Sequence, residues 1–222
     1  MAGLSEPIEA LRELPVGESA VALVGDRRFC RVEECNLGNL ITDAMRAETG
    51  AEIAITNGGG IRADIDEGEV TVGEVLTVLP FGNLVSTFDM TGADIIEALE
   101  NGVSQVTLTD AGVISRDGAA GRFPQVSGIS FTFDPTQEPG SRIIEVLLDN
   151  GEPIDPEATY SVVTNDFMRG GGDGYANLAT DAIDPYDFGK PLDLVLAEYI
   201  ALNSPVAPEL EGRITATVGY AD

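Results

Sequence analysis

Apolar positions along this chain follow two rhythms, one of about 3.6 residues and one of two, broken by glycine-rich turns. Leu4, Ile8 and Leu11 share a helical face until Pro15 ends the run, which predicts a short helix or a linker helix entering a domain. Residues 19–25 (SAVALVG) predict a strand. Leu37 to Arg46 predicts a helix, with Asn36 as its N-cap and Gly50 where a C′ glycine belongs. Ile53-Ala54-Ile55-Thr56 predicts a short strand that runs straight into Asn57-Gly58-Gly59-Gly60-Ile61-Arg62. Thr71 and Glu74 have capping-box spacing and open a short helix that ends at Pro80.

The second half repeats these signals. Leu84 to Met90 predicts a strand, after which Thr91 caps a helix over 94–100 that Asn101-Gly102 closes. Strands over 129–133 and 143–148 flank the turn from Asp134-Pro135 to Pro139-Gly140. Tyr160 to Thr164 predicts a strand leading into a second glycine stretch, Asn165 to Tyr175. A helix over 191–202 and a strand over 213–218 complete the pattern. Residues 104–127, with Asp110, Gly112, Asp117, Gly118 and Gly121, read as a surface excursion. Asp134 and the run from Asp181 to Asp187 read as solvated loops. Strands before and after helices, with hairpins, predict an α+β fold with mixed sheets in a layered α/β/β/α arrangement. The simplest division is an interdomain linker over 1–19 and one domain over 20–222.

Composition sharpens this. With 222 residues, 43% of them apolar, the chain can bury roughly 70% of its unfolded surface and build a true core. No apolar run approaches the roughly 20 residues that span a bilayer. Thirty-eight acidic residues against 12 basic ones leave a net charge of −26, and Lys190 is the one lysine. Such a field repels nucleic acid polymers and anionic membranes and favours solubility at high salt. The expectation is adaptation to a saline or otherwise harsh extracellular setting, with a merely acidic exported protein as the alternative. Met1-Ala2-Gly3 leads directly into an acidic amphipathic segment without the pattern of a signal peptide, so the sequence reads as a mature or trimmed piece.

Histidine is absent, which removes Ser-His-Asp and Cys-His catalysis. Neither glycine stretch carries the Lys-Ser/Thr of a P-loop or the spacing of a dinucleotide fingerprint. Asp64, Asp66 and Gly68 match only the opening of a calcium loop. Cys30 and Cys35, with no third cysteine, suit a small-loop disulfide better than a structural zinc site, and so an oxidising compartment. What remains is recognition chemistry. Arg62 ends one glycine turn and suits phosphate or carboxylate. Phe81 in Leu79-Pro80-Phe81-Gly82-Asn83 and Phe167 in the second stretch sit beside glycine or charge, outside any apolar period. Asp173 lies in a tight turn and could accept from hydroxyls, or merely cap that turn. Tyr175, Phe88, Phe123, Phe131 and Phe133 read as packing residues.

Five ordered motifs carry a resemblance: the stretch from Cys30 to Ile41, NGGGIR, LPFGN, NDFMRGGGDGY, and Glu211-Gly212-Arg213-Ile214. Together they resemble the C-terminal domain of the 5′-nucleotidase and UDP-sugar hydrolase family, over about residues 20–217. The resemblance implies an α/β/β/α substrate-binding domain. By motif position Phe81 and Phe167 would sandwich the base, and Arg31 and Arg62 would contact phosphates. Asn57, beside Gly59, would reach the base or sugar side. Asp173 would accept the ribose hydroxyls, and Asn83 would bond the base. Cys30 and Cys35 match the disulfide pair of some members. Phenylalanine instead of tyrosine at both stacking positions tilts the reading toward 5′-nucleotides. The family's divalent metal ions and phosphatase chemistry belong to a separate N-terminal domain, so this chain is expected to hold no cofactor and to be inactive alone. Its partners would be a nucleotide or nucleoside and that metallophosphatase domain, in an extracellular or periplasmic setting. A stand-alone nucleotide- or small-ligand-binding domain is the alternative.

Overall fold

A computed structural model describes residues 5–221. Leu4 of the first predicted helix lies outside the described residues. In chain order the elements are α1 (Ser5–Arg12), β1 (Pro15–Ser19), α2 (Arg27–Cys30), α3 (Asn36–Thr49), β2 (Ile53–Asn57), β3 (Gly68–Thr71), α4 (Val72–Val78), β4 (Val85–Thr91), α5 (Gly92–Val103), β5 (Pro124–Ser127), β6 (Ile129–Phe133), β7 (Ile143–Leu148), β8 (Thr159–Asn165), α6 (Asp166–Arg169), α7 (Ala176–Thr180), β9 (Ile183–Tyr186), α8 (Leu192–Asn203) and β10 (Ile214–Ala216). Single 3₁₀ turns follow β2 and α6, at Gly58–Gly60 and Gly172–Gly174.

The strands form a five-stranded sheet in the order β5-β2-β8-β4-β9, a three-stranded sheet β10-β6-β7 and a ribbon β1-β3. Both larger sheets are mixed: β2 runs parallel to β8 and β10 parallel to β6, while the other pairs are antiparallel. The α+β expectation therefore holds. Every residue of β2 is buried, as a central strand covered on both faces requires. One face of the five-stranded sheet packs against α3, α4 and α8 through Ala54, Val163, Ile41, Val75 and Leu196. The other packs α5 and the three-stranded sheet through Ile55, Val162, Leu99, Phe131 and Phe133. Phe88, Phe123 and Tyr175 are also core residues, matching their sequence reading.

Local chemistry explains the helix ends. The Thr71 hydroxyl accepts from the Glu74 amide at 3.3 Å, and the Glu74 carboxylate accepts from the Thr71 amide at 2.8 Å, which completes the capping box of α4. Thr91 accepts from the Asp94 amide at the start of α5. Gly50 takes φ +72 and closes α3.

Five expectations are corrected. Residues 19–25 do not form a strand; the strand is Pro15–Ser19, paired with β3, and 20–25 are pinned by single bridges such as Leu23 with Ile65. Their alternating apolar side chains find a core, but their backbone finds only loop partners. Asn36 is the first helical residue and not the N-cap, because its side chain instead accepts from the Val24 amide and donates to the Ala22 carbonyl. Asn101-Gly102 do not end α5, which runs on to Val103. The buried Arg142 takes over that end, donating to the carbonyls of Val103 at 2.7 Å and Val106 at 2.9 Å. Asp181–Asp187 contains β9, an exposed edge strand on β4. The excursion 104–127 ends in β5, whose four residues are all buried.

Among residues with described side chains, Glu34 is the one buried acid; it accepts from Asn39 and from the Glu211 amide, both at 2.6 Å. The other carboxylates share the partly or fully exposed surface, where like charges repel. Screening length falls from about 10 Å at roughly 0.1 M salt to about 3 Å at roughly 1 M. The thermal midpoint is therefore expected to rise over that range by at least ~3 °C, the shift that roughly 1 kcal/mol gives at this chain length. A flat or falling midpoint in a calorimetric scan refutes this.

Candidate functional site

Because β2 and β8 are adjacent and parallel, their C-terminal ends emerge side by side. Each ends in Thr-Asn before a glycine-bearing turn: Thr56-Asn57 and Thr164-Asn165. Asn57 and Asn165, 108 residues apart in sequence, meet directly, with the Asn165 amide donating to Asn57 Oδ1 at 3.1 Å. In open sheets of this kind ligands bind beyond the carboxyl ends of the strands. A cavity of about 440 Å³ opens there. Arg31, Asn57, Gly59, Arg62, Phe81, Asn83, Phe167 and Asp173 all line it, so the structure brings together every residue proposed for the site from sequence.

Each wall has a local reason. Phe81 follows α4 and lies on the turn around Gly82, which takes φ +63. The residue is 59% exposed. Phe167 belongs to α6, capped by Asn165 through the Met168 amide at 2.9 Å, and is 47% exposed. The second glycine turn passes under the Phe167 ring so closely that a Cβ at Gly172 would lie 2.6 Å from it. That support leaves the rest of the ring toward the cleft. Asp173 itself takes φ +55, a left-handed conformation that short polar side chains tolerate best among non-glycine residues.

Asp173 is held by a polar relay. Asn57 Nδ2 donates to Asp173 Oδ2 at 2.7 Å, and Asn101 Nδ2 donates to the Asp173 carbonyl at 3.2 Å. Arg122 in turn donates to Asn101 Oδ1 at 2.9 Å, and the buried Tyr175 hydroxyl donates to the Arg122 carbonyl at 2.6 Å. Asn57 is thus fixed in one rotation, with its oxygen toward Asn165 and its nitrogen toward Asp173. The sequence reading gave Asn101, Gly121, Arg122 and Asn165 no role in the cleft. The repeated Thr-Asn at two strand ends was a signal for Asn165; nothing local marked the others.

The cationic wall is Arg31 and Arg62. Arg31 sits in the ring closed by the Cys30–Cys35 disulfide, whose Cα atoms are 5.2 Å apart. Its Nε is buried without a hydrogen-bond partner. Burial foremost, then repulsion from Arg62 and Arg27, holds its guanidinium below the ordinary arginine pKa, and Asp173 pulls the other way. Arg62 donates weakly to the Gly59 carbonyl at 3.3 Å and lies over the Phe81 ring at 5.7 Å. Two mutually repelling guanidinium groups beside an unpaired donor suit an anion.

The sequence profile described as "5′-nucleotidase, C-terminal domain" matches residues 15–180. The chain belongs to this family. A trifunctional nucleotide phosphoesterase from Bacillus subtilis is 44% identical over 216 residues, covering 93% of this chain but 14% of that protein. An apyrase from Tabanus yao is 36% identical, covering 90% of the chain and 37% of the apyrase. The solved 5′-nucleotidase precursor from Thermus thermophilus superposes with a TM-score of 0.88 at 43% identity, covering 96% of this chain and 41% of that one. Haemophilus influenzae NAD nucleotidase gives 0.80 at 25% identity, with 96% and 40% coverage. The domain therefore spans well under half the length of these relatives. Among the described residues of this 5′-nucleotidase C-terminal domain, no group of three or more His, Cys, Asp and Glu side chains is placed to hold a metal ion.

The first glycine turn can hold its place only without side chains. Gly58 donates to the Phe123 carbonyl and Gly59 to the Gly121 carbonyl, both at 2.7 Å. A Cβ at Gly58 would collide with the Cys30 carbonyl oxygen. Gly58→Ala is expected to cost on the order of 2 kcal/mol in urea unfolding, the scale of overpacking in a tight site. An unchanged denaturation midpoint would show that the turn has slack.

Proposed function

We propose that this domain is the substrate-specificity part of a secreted 5′-nucleotidase or UDP-sugar hydrolase. The observation that carries the reading is the convergence of two half-exposed phenylalanines, two arginines and one aspartate on a single cleft. Large aromatic rings left facing water in a small cavity are groups awaiting a flat partner. In this reading Phe81 and Phe167 stack on the base, and Arg31 and Arg62 take the phosphates. Asp173, with one oxygen accepting from Asn57, turns its remaining lone pairs to the ribose hydroxyls. Asn57, with Gly59 beside it, reaches the base or sugar side, and Asn83 reaches the base edge.

Several members of this family carry names such as apyrase and snake venom 5′-nucleotidase, and the disulfide suits the same extracellular or periplasmic surroundings. Hydrolysis of the phosphate ester would fall to an N-terminal domain outside this sequence, with divalent metal ions there providing Lewis acidity. This chain's own task is to grip and orient. Base stacking supplies about 1–3 kcal/mol per ring, and each charge-assisted hydrogen bond about 1.5–3 kcal/mol. After ordering costs, that is compatible with micromolar to millimolar binding.

Calorimetric titration of this chain with adenosine, AMP and UDP-glucose tests the reading. Binding is expected for all three, and Phe81→Ala or Phe167→Ala should each weaken adenosine by about tenfold, the equivalent of one lost stack. Because the chain has no tryptophan, Phe81→Trp adds a single reporter whose fluorescence should fall as adenosine stacks on it. No heat at millimolar ligand, or phenylalanine truncations that leave affinity unchanged, refutes the assignment.

A further inference from the structure

Arg31 can serve an anion only if the small ring that carries it is held still. A six-residue disulfide loop has few internal bonds, so something outside the ring must read its backbone. That reader is Gln125 of β5, a side chain with no solvent exposure. Its Nε2 donates to the carbonyls of Cys30 at 3.0 Å and Glu33 at 2.8 Å, and its Oε1 accepts from the Cys35 amide at 3.1 Å. Both donors and an acceptor of one amide are thus spent on three backbone groups of the ring around Arg31. Space has been kept for it: a Cβ at Gly38 would come within 2.5 Å of Gln125 Oε1. Immediately upstream of Gln125, the carbonyls of Gly121 and Phe123 hold the Gly58–Gly59 turn that leads to Arg62. One short segment, 121–125, therefore clamps both cation-bearing walls.

We propose that Gln125 is a positioning residue that fixes Arg31 toward the phosphate-binding end of the cleft. It touches no ligand and acts through the ring. The proposal deepens the nucleotide reading and rests on it for the identity of the anion. A rival role, simple core stability, would weaken every ligand alike. Positioning of Arg31 weakens only ligands that carry a phosphate.

Gln125→Met keeps the volume and removes all three hydrogen bonds. Titration of parent and variant with adenosine and AMP is expected to leave adenosine within twofold while the AMP advantage falls by about tenfold. Gln125→Glu keeps the acceptor for the Cys35 amide but turns a carboxylate oxygen on the Cys30 and Glu33 carbonyls, and should lose at least as much of the AMP advantage as Gln125→Met. In an Arg31→Ala background Gln125→Met should change AMP binding by less than twofold, because its effect runs through Arg31. Equal losses for adenosine and AMP, or a full loss added to that of Arg31→Ala, overturn the proposal. Failure of the parent to bind either ligand overturns the nucleotide reading itself. Nitrogen-15 relaxation of the Arg31 Nε–H group then decides the ring's role without a ligand. Faster motion in Gln125→Met supports positioning, and unchanged motion refutes it.

Discussion

Everything in the cleft hangs on the parallel pairing of β2 with β8 at the centre of the five-stranded sheet. Parallel neighbours deliver their C-terminal ends to the same edge, so two glycine turns far apart in sequence leave the sheet together. The Asn57–Asn165 hydrogen bond is the direct consequence, and both asparagines are buried. From it run the cap of α6, which carries Phe167, and the amide that fixes Asp173. Were the two strands antiparallel, the same sequences would place their turns at opposite ends of the sheet and no cleft would form.

The cleft joins rigid and lightly packed parts. Its floor is backbone and carboxamide, held by hydrogen bonds from strands buried on both faces. Its rim is aromatic ring and guanidinium: Phe81, Phe167 and Arg62 are exposed and Arg31 is half-buried. Arg62 rests over Phe81 and Arg31 keeps an unpaired Nε, so neither cation is committed to a carboxylate. Elsewhere Arg213 bridges Asp43 and Glu211, and Arg116 bridges Glu33 between the rings of Phe29 and Tyr220, while the buried Arg142 is bonded to backbone carbonyls alone. Holding two guanidinium groups apart from this acidic surface gives the cleft a local sign opposite to that of the whole molecule.

The apparent surface excursion turns out to be the hidden support of the arginine side of the cleft. Residues 104–127 are rich in glycine and aspartate, which mark turns, yet their end is a fully buried strand carrying Gln125. The segment also carries Gly121, which meets Gly59 backbone to backbone. Its middle is tied to the C-terminal residues, with Ile114 donating to the Gly219 carbonyl and Ala221 donating to that of Ile114. An irregular stretch can thus be as well fixed as a helix when its backbone groups find distant partners.

Much was legible from sequence alone because it depends on neighbours a few residues apart. The Thr71–Glu74 capping box, the Thr91 cap, the Gly50 terminus and the strand pair β6 and β7 on either side of a Pro/Gly turn are local physics, and all appear in the structure. Phe81 and Phe167 stood out as aromatics outside any apolar period, and the spacing of Cys30 and Cys35 matched the disulfide that forms. Features settled by long-range pairing were not legible. The strand over 15–19, β5 and the edge strand β9 have too few residues and too weak a pattern to show themselves without their partners. Asn101 stood out only as a helix end, and Arg122 and Gln125 carry no mark in the sequence, since an amide or guanidinium acquires its meaning from the groups it faces. Which residue types line the cleft was written in the chain; where their hydrogen bonds point was decided by which strands lie side by side.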